Sequence, residues 1–365
     1  MKNVLYLGWL GYKNIGDELM WEIFKQKFDE KVDKSKYRLF PSDKNRLSMI
    51  KRKKMVLRHY NTIVLGGGSL LTPSYINILY HAIQIKKDIE IIIWGSGIDW
   101  IERRDLKKLL IGNEMIEQKK DNEFNVFRHK DFKLKLQIVL NHAKFAAVRG
   151  NYTFEVLKNM GLNLDNVLIS GDPGLLVKTP NNQGTIKEKG LVALSWGTAK
   201  NKLFGKNEKK IEDELVLVVK DLIDKGYHFC IFPVFEKDIV PCQRLYNKIA
   251  DEKRVELKTT LYNQNELLIL MQKCSFTINL KLHANVLSAV AGIPFIALGY
   301  RFKTFDFANS IGLDDLVVPT DDSNIHLSIL NLVNYIEEHQ DIMQHIPPLQ
   351  LECEKKLDQI FTLFT

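Results

Sequence analysis

Cysteine pairs are missing from this chain of 365 residues: its four cysteines, Cys230, Cys242, Cys274 and Cys353, stand singly. That excludes a Cys-x-x-Cys redox motif and zinc-finger spacing, and it suits buried thiols in a reducing cytoplasm. The nine histidines never fall at His-x-x-x-His or similar ligand spacing with an acidic partner, so no metal centre is expected. No apolar run reaches the roughly eighteen residues that span a bilayer. The candidates, such as residues 89–94, are broken by glycine or charge within a strand's length. Asn3-Val4-Leu5-Tyr6-Leu7 is too short for a signal h-region and runs straight into Gly8, so it reads as a first strand and secretion is not expected. Ser195, in Leu194-Ser195-Trp196-Gly197, lacks the glycine two residues earlier that a nucleophile elbow needs. Neither an aromatic ribonucleoprotein motif nor a basic zipper is present to read nucleic acid bases.

What the chain has is ordinary globular material, 45% hydrophobic and 26% charged, long enough for two cores. Apolar runs of strand length alternate with helical stretches of 3.6 periodicity, the pattern of parallel sheets covered by helices. Strands are predicted at residues 4–7, 37–40, 62–65, 89–94, 145–148 and 167–170. The polar, turn-rich stretch 178–184 then reads as a linker. A second series predicts strands at 191–195, 229–233, 254–257, 276–280 and 294–298. The expected domains are therefore 1–178 and 190–345, two Rossmann-like doubly wound α/β halves facing a central cleft, the first on the acceptor side. A last segment, 347–365, opens on Pro347-Pro348, has helical spacing over 349–364, and either caps the second half or crosses back to the first. Positive charges exceed negative ones by 8, partly through the run Lys51-Arg52-Lys53-Lys54. Such a run is the wet face of a helix or a means of approach to anionic headgroups.

The most telling stretch is Leu280-Lys281-Leu282-His283-Ala284, followed by Gly292-Ile293-Pro294 and then Tyr300-Arg301-Phe302-Lys303. One imidazole and three cations stand where strands hand over to helices, the place where α/β proteins expose ligand groups and where backbone N–H donors favour an anion. An anionic-substrate site is expected; the competing reading is a satisfied core histidine beside a solvated basic face. Gly8, Gly11 and Gly16 do not match Gly-x-Gly-x-x-Gly, so this first loop is no dinucleotide fingerprint. Asp17 there suits the positive end of a helix dipole. Gly66-Gly67-Gly68-Ser69 ends an apolar strand, and a triple glycine costs conformational entropy, which points to a ligand pressed against the backbone. Gly95-Ser96-Gly97 repeats the idea at the next strand end. Arg149 and Asp172 end two further strands and either hold a phosphate or pair locally.

Taken in order, Asn14-Ile15-Gly16-Asp17, Gly66-Gly67-Gly68, Val148-Arg149-Gly150, Gly171-Asp172-Pro173, Leu282-His283-Ala284, Gly292-Ile293-Pro294 and Tyr300-x-x-Lys303 resemble the polysaccharide pyruvyltransferase family. The ordered set spans nearly the whole chain. The resemblance implies a GT-B-like pair of Rossmann-like domains, and transfer of the enolpyruvyl group of phosphoenolpyruvate to a sugar as a pyruvate ketal. It implies no cofactor, phosphoenolpyruvate being the donor substrate. Arg149, Lys281 and His283 would lie at the donor pocket, with Leu282, Tyr300, Lys303, Asn14, Gly16, Gly67 and Gly68 as further substrate-binding residues. His283, whose ordinary pKa of about 6.5 lets it exchange protons near neutrality, would be the general acid. Asp172 and Asp17 would be candidate bases. Lys281 stands where the family usually has arginine; it keeps the charge but lacks the planar two-pronged grip. The expected acceptor is a cell-surface saccharide precursor, lipid-diphosphate-linked, met in the cytoplasm at the inner face of the membrane. The charged stretch 101–135 is expected to recognise it. Two other readings share the fold: a GT-B glycosyltransferase using a nucleotide sugar, and a non-catalytic glycan-assembly protein.

Overall fold

The structure is a computed structural model that describes residues 1–110, 130–179 and 187–364. Most of the stretch expected to recognise the acceptor, and most of the expected linker, lie outside the described residues. The chain divides into two compact units: Met1–Tyr12 with Gly16–Pro173 and Glu352–Thr365, and Lys13–Ile15 with Gly174–Leu351.

Unit 1 is built on six strands: β1 (Lys2–Leu7), β2 (Tyr37–Pro41), β3 (Thr62–Leu65), β4 (Glu90–Ser96), β5 (Ala143–Val148) and β6 (Val167–Ile169). They pair in the order β2-β1-β3-β4-β5-β6, every pair parallel. Parallel neighbours need crossovers, and the helices supply them. These are α1 (Ile15–Lys31), α2 (Lys44–Arg52), α3 (Pro73–Ile85), α4 (Arg103–Leu110), α5 (Lys130–His142) and α6 (Asn151–Asn159). With both faces covered, the central strands hold nothing that needs water: Ile63, Val64 and Leu65, and Ile91, Ile92 and Ile93, are fully buried.

Unit 2 repeats the plan with β7 (Leu191–Ser195), β8 (His228–Phe232), β9 (Val255–Leu257), β10 (Phe276–Asn279), β11 (Phe295–Gly299) and β12 (Val317–Pro319), in the order β12-β11-β10-β7-β8-β9. Its helices are α7 (Glu208–Asp224), α8 (Ile239–Ile249), α9 (Gln264–Lys273), α10 (Leu282–Val290), α11 (Phe302–Ser310) and α12 (Ile325–Glu338). A last helix, α13 (Ile346–Asp358), is followed by a 3-10 turn, Gln359–Phe364. Strand order reverses between β1 and β3 in one sheet and between β7 and β10 in the other. At such switch points the loops leaving adjacent strands diverge and open room for a ligand at the carboxyl edge.

Candidate functional site

In unit 2 the switch point is occupied by charge. The chain leaves β10 through Leu280 and starts α10 with Lys281 as the N-cap residue. Lys281 Nζ donates to the Thr198 carbonyl at 2.8 Å and lies 3.1 Å from Asp238 Oδ1. The Thr198 N–H donates to the same carboxylate oxygen at 3.0 Å. Three neighbouring strands, β10, β7 and β8, thus contribute one residue each to a tight cluster. Asp238 is fully buried, and a Cβ on Gly197 would fall 2.3 Å from its Oδ1, so only glycine lets the carboxylate close against this backbone. Burial raises the Asp238 pKa above the ordinary carboxylate value, and Lys281 with the Thr198 N–H offsets only part of the rise.

His283 follows two residues after Lys281, half-buried on the first turn of α10. The adjacent strand β11 ends in the same way. Arg301 is the N-cap of α11, Lys303 stands in its first turn, and the Lys303 ammonium lies 5.4 Å from the Tyr300 ring centroid. Neither N-cap side chain accepts a bond from its own first turn. Two parallel helix N-termini at adjacent strand ends therefore present Lys281, His283, Arg301 and Lys303, and their dipoles add to the positive field. Such an arrangement can hold a multiply charged anion and place an imidazole against it. Leu282 is only 2% exposed, so its side chain belongs to the core and only its backbone is available to a ligand.

In unit 1 the structure brings Arg149 and Asp172 together, with Nη1 and Oδ2 3.8 Å apart and neither residue exposed. The guanidinium also donates to the Ile98 carbonyl at 3.4 Å and reaches Ser69 Oγ at 3.5 Å. Local pairing is thus present at this arginine. A Cβ on Gly97 would lie 2.8 Å from Arg149 Nη2, which explains that glycine.

At the triple glycine the protein's own side chains come close to the backbone. A Cβ on Gly66 would fall 2.1 Å from the Tyr6 hydroxyl, and one on Gly67 would fall 2.8 Å from Met20 Sδ. The space is taken by the protein's own side chains. Only Gly68 is demanded by backbone conformation, with φ +98. Gly16 is buried at the start of α1, and Asp17 follows in its first turn. Burial raises the phenol pKa values of Tyr6 and Tyr75, and the Asp17 charge adds to both. Asn14 lies in unit 2, where it forms an isolated bridge with Phe235.

Asp238 and Thr198 are the residues that sequence reasoning missed. Gly197, two residues past the end of a strand, was an available signal, as was Asp238 at the head of a helix. A hollow of about 990 Å³ in unit 2 lies elsewhere, along the edge strand β9 beside Cys230, Arg254 and Tyr262. Chemistry, not volume, singles out the carboxyl edge.

Comparison with known proteins gives a family and a fold. The sequence model of the polysaccharide pyruvyl transferase family matches residues 14–301. The amylovoran biosynthesis protein AmsJ of Erwinia amylovora is 21% identical over 310 residues, covering 80% of this chain and 69% of that protein. Among solved structures, MnaA of S. aureus with UDP superposes with a TM-score of 0.64 at 12% identity, over 100% of this chain and 98% of that one. The UDP-GlcNAc 2-epimerase of Neisseria meningitidis bound to UDP-GlcNAc gives 0.59 at 11% identity, over 99% and 100%. At such identities the likeness is one of fold, and the fold is GT-B-like.

Proposed function

The chain belongs to the polysaccharide pyruvyl transferase family, and on that premise we propose that it moves the pyruvyl group of phosphoenolpyruvate onto a saccharide as a ketal, releasing phosphate. A transferase role in polysaccharide modification follows from the family. The observation that carries it is the pairing of two helix N-termini, with Lys281 and His283 on one and Arg301 and Lys303 on the other. Phosphoenolpyruvate carries a carboxylate and a phosphate on the same carbon, and two cationic helix starts match two anionic groups.

In the proposed reaction His283 gives a proton to the methylene carbon, and positive charge develops at the neighbouring carbon. One sugar hydroxyl bonds to that carbon. The bond to phosphate then breaks, its electron pair leaving with the phosphate, and a second hydroxyl closes the ketal. One hydroxyl proton returns to the imidazole and the other leaves to solvent. Asp172 is committed to Arg149 and serves better as that residue's anchor. Lys281, Arg301 and Lys303 stabilise the phosphate as its charge grows, which is where fixed cations lower a barrier most. The acceptor in this reading is a lipid-diphosphate-linked precursor.

Phosphate release from phosphoenolpyruvate, measured with and without a panel of glycan acceptors, tests the proposal. Acceptor-dependent release with a ketal on the glycan is expected, and His283→Ala should slow it by about a hundred- to ten-thousand-fold. Release of a nucleoside diphosphate from nucleotide sugars, with phosphoenolpyruvate inert, would assign the protein to glycosyl transfer instead. Unchanged biological activity of His283→Ala would point to a non-catalytic role.

A further inference from the structure

Between Asp43 and His59 the chain has seven cations against one carboxylate, an excess of six in a protein whose total excess is eight. This segment forms α2 and the 3-10 turn Lys54–His59. Leu47, Ile50 and Leu57 are buried beneath it and fix which side faces out. The outward side carries Lys51, Arg52, Lys53 and Arg58, all exposed, with Met49 at 41% and Met55 at 58% exposure among them. Among the described residues none of the seven cations is within ion-pair distance of a carboxylate, whereas Lys25, Lys31 and Lys34 nearby in the chain all are. Arg46 donates to the Pro41 carbonyl, and Lys54 meets His81. A solvated helix face normally mixes signs; this one accepts mutual repulsion and leaves two flexible thioethers uncovered.

Aromatic side chains stand beside it. Trp9, 37% exposed, stacks on Tyr12 with centroids 4.7 Å apart, and Lys44 Nζ lies 5.8 Å from the Tyr12 ring. The Gly8 N–H donates to Ser42 Oγ at 2.8 Å, tying this loop to the residue just before the N-cap of α2. Amphipathic aromatics, exposed methionines and unpaired cations on one face are the combination that fits a bilayer interface with anionic headgroups: rings at headgroup depth, apolar side chains below them, ammonium and guanidinium groups on phosphate.

We propose that α2, the turn after it and the Trp9–Tyr12 loop form the surface by which the protein docks on an anionic phospholipid membrane. The proposal deepens the lipid-linked acceptor reading, because the docking face adjoins the carboxyl-edge loop of β1. Co-sedimentation of the full chain with vesicles of phosphatidylcholine containing phosphatidylglycerol, against phosphatidylcholine alone, tests it. Binding to the anionic vesicles only, weakened by salt, is expected. Replacing Lys51, Arg52, Lys53 and Arg58 together by Gln should lower the vesicle partition coefficient by roughly a hundredfold or more. None of these four has a described side-chain partner, so folding should persist, and circular dichroism checks it. Met49→Ser with Met55→Ser should weaken binding without changing charge. Equal binding to neutral vesicles, wild-type partition in the Gln variant, or tighter binding to duplex DNA than to anionic vesicles would each overturn the proposal. The assay needs neither phosphoenolpyruvate nor acceptor. A protein that docks but releases no phosphate therefore refutes only the reaction, and one that turns over a soluble acceptor without docking refutes only the surface.

Discussion

A carboxylate cut off from water stays ionised only against a cost, and Asp238 bears that cost beside Lys281. Its pKa is raised, chiefly by burial, so the folded state holds this proton more tightly than the unfolded chain. The stability that the group contributes is therefore greatest at acid pH and is lost as pH rises through its raised value. Once ionised, Asp238 opposes folding, and the compensating gain lies in the position of Lys281. Asp238→Asn removes the charge and keeps the shape. Thermal melts at pH 7 should place it at or above wild type, with the advantage shrinking in acid, while kcat/KM for phosphoenolpyruvate falls about tenfold or more as the ammonium loses its anchor. A less stable variant of full activity would remove Asp238 from the site. Lys281 and His283 were legible because a strand running into a helix announces which residues stand at its edge. Asp238 was not, because its partner lies far along the chain and only the adjacency of β8, β7 and β10 brings them together. Glycines gave half a message. They announced a close approach, but nothing local to Gly66 says that Tyr6 makes it. Gly66→Ala should consequently cost about 1–3 kcal/mol in denaturant unfolding, the usual range for overpacking a filled core.

Elements were most readable where one signal ruled them. The central strands, buried on both faces, appear as unbroken runs such as Ile91-Ile92-Ile93, and the structure places them within a residue or two of expectation. The edge strand β12, three residues long, was not expected, although β6 and β9, equally short and also at edges, were. Helix α13 starts at Ile346, so Pro347 and Pro348 fall in its first turn instead of preceding it, where their missing N–H groups are not needed. Capping divides the helices of unit 2 by task. Helix α9 has a full capping box, the Asn263 side chain accepting from its first turn and Glu266 returning a bond to the Asn263 N–H. Helices α10 and α11 have Lys281 and Arg301 at that position, without side-chain cap bonds. The structural helix uses its N-cap for stability, and the two at the site keep theirs cationic. Asn263→Ala should therefore cost about 1 kcal/mol in urea melts with no effect on turnover. Arg301→Gln should raise KM for phosphoenolpyruvate.

At the scale of the molecule, unit 1 is not a continuous stretch of chain. The chain leaves it at Pro173 and re-enters at Glu352, and what returns completes its core. Phe361 packs 5.9 Å from Phe24, and Phe364 lies 5.4 Å from both Phe28 and Tyr37, centroid to centroid. Beside these rings Lys27, 7% exposed, is held by Glu354 at 2.7 Å and Asp358 at 2.9 Å. Sequence periodicity predicted the last helix but left its destination open, because an apolar stripe specifies that something will cover it and not what. Phe361→Ala should destabilise unit 1 by about 3–5 kcal/mol. Lys27 supplies a finer test of the same contact. Burial works against its charge, but the hydrogen bonds it donates to Glu354 and Asp358 outweigh that, and its pKa is raised above 10.5. A lysine raised in the folded state contributes stability that is complete below its unfolded pKa and disappears as pH climbs through the folded one. Lys27→Met should be less stable than wild type at pH 7, by on the order of 1–3 kcal/mol, since Lys31 still reaches Asp358 at 3.2 Å. As pH rises above 10.5 the two melting curves should converge, because wild type alone has this term to lose. Curves that stay parallel into strong alkali would mean that the returning helix is held by its aromatic rings and not by the buried ammonium.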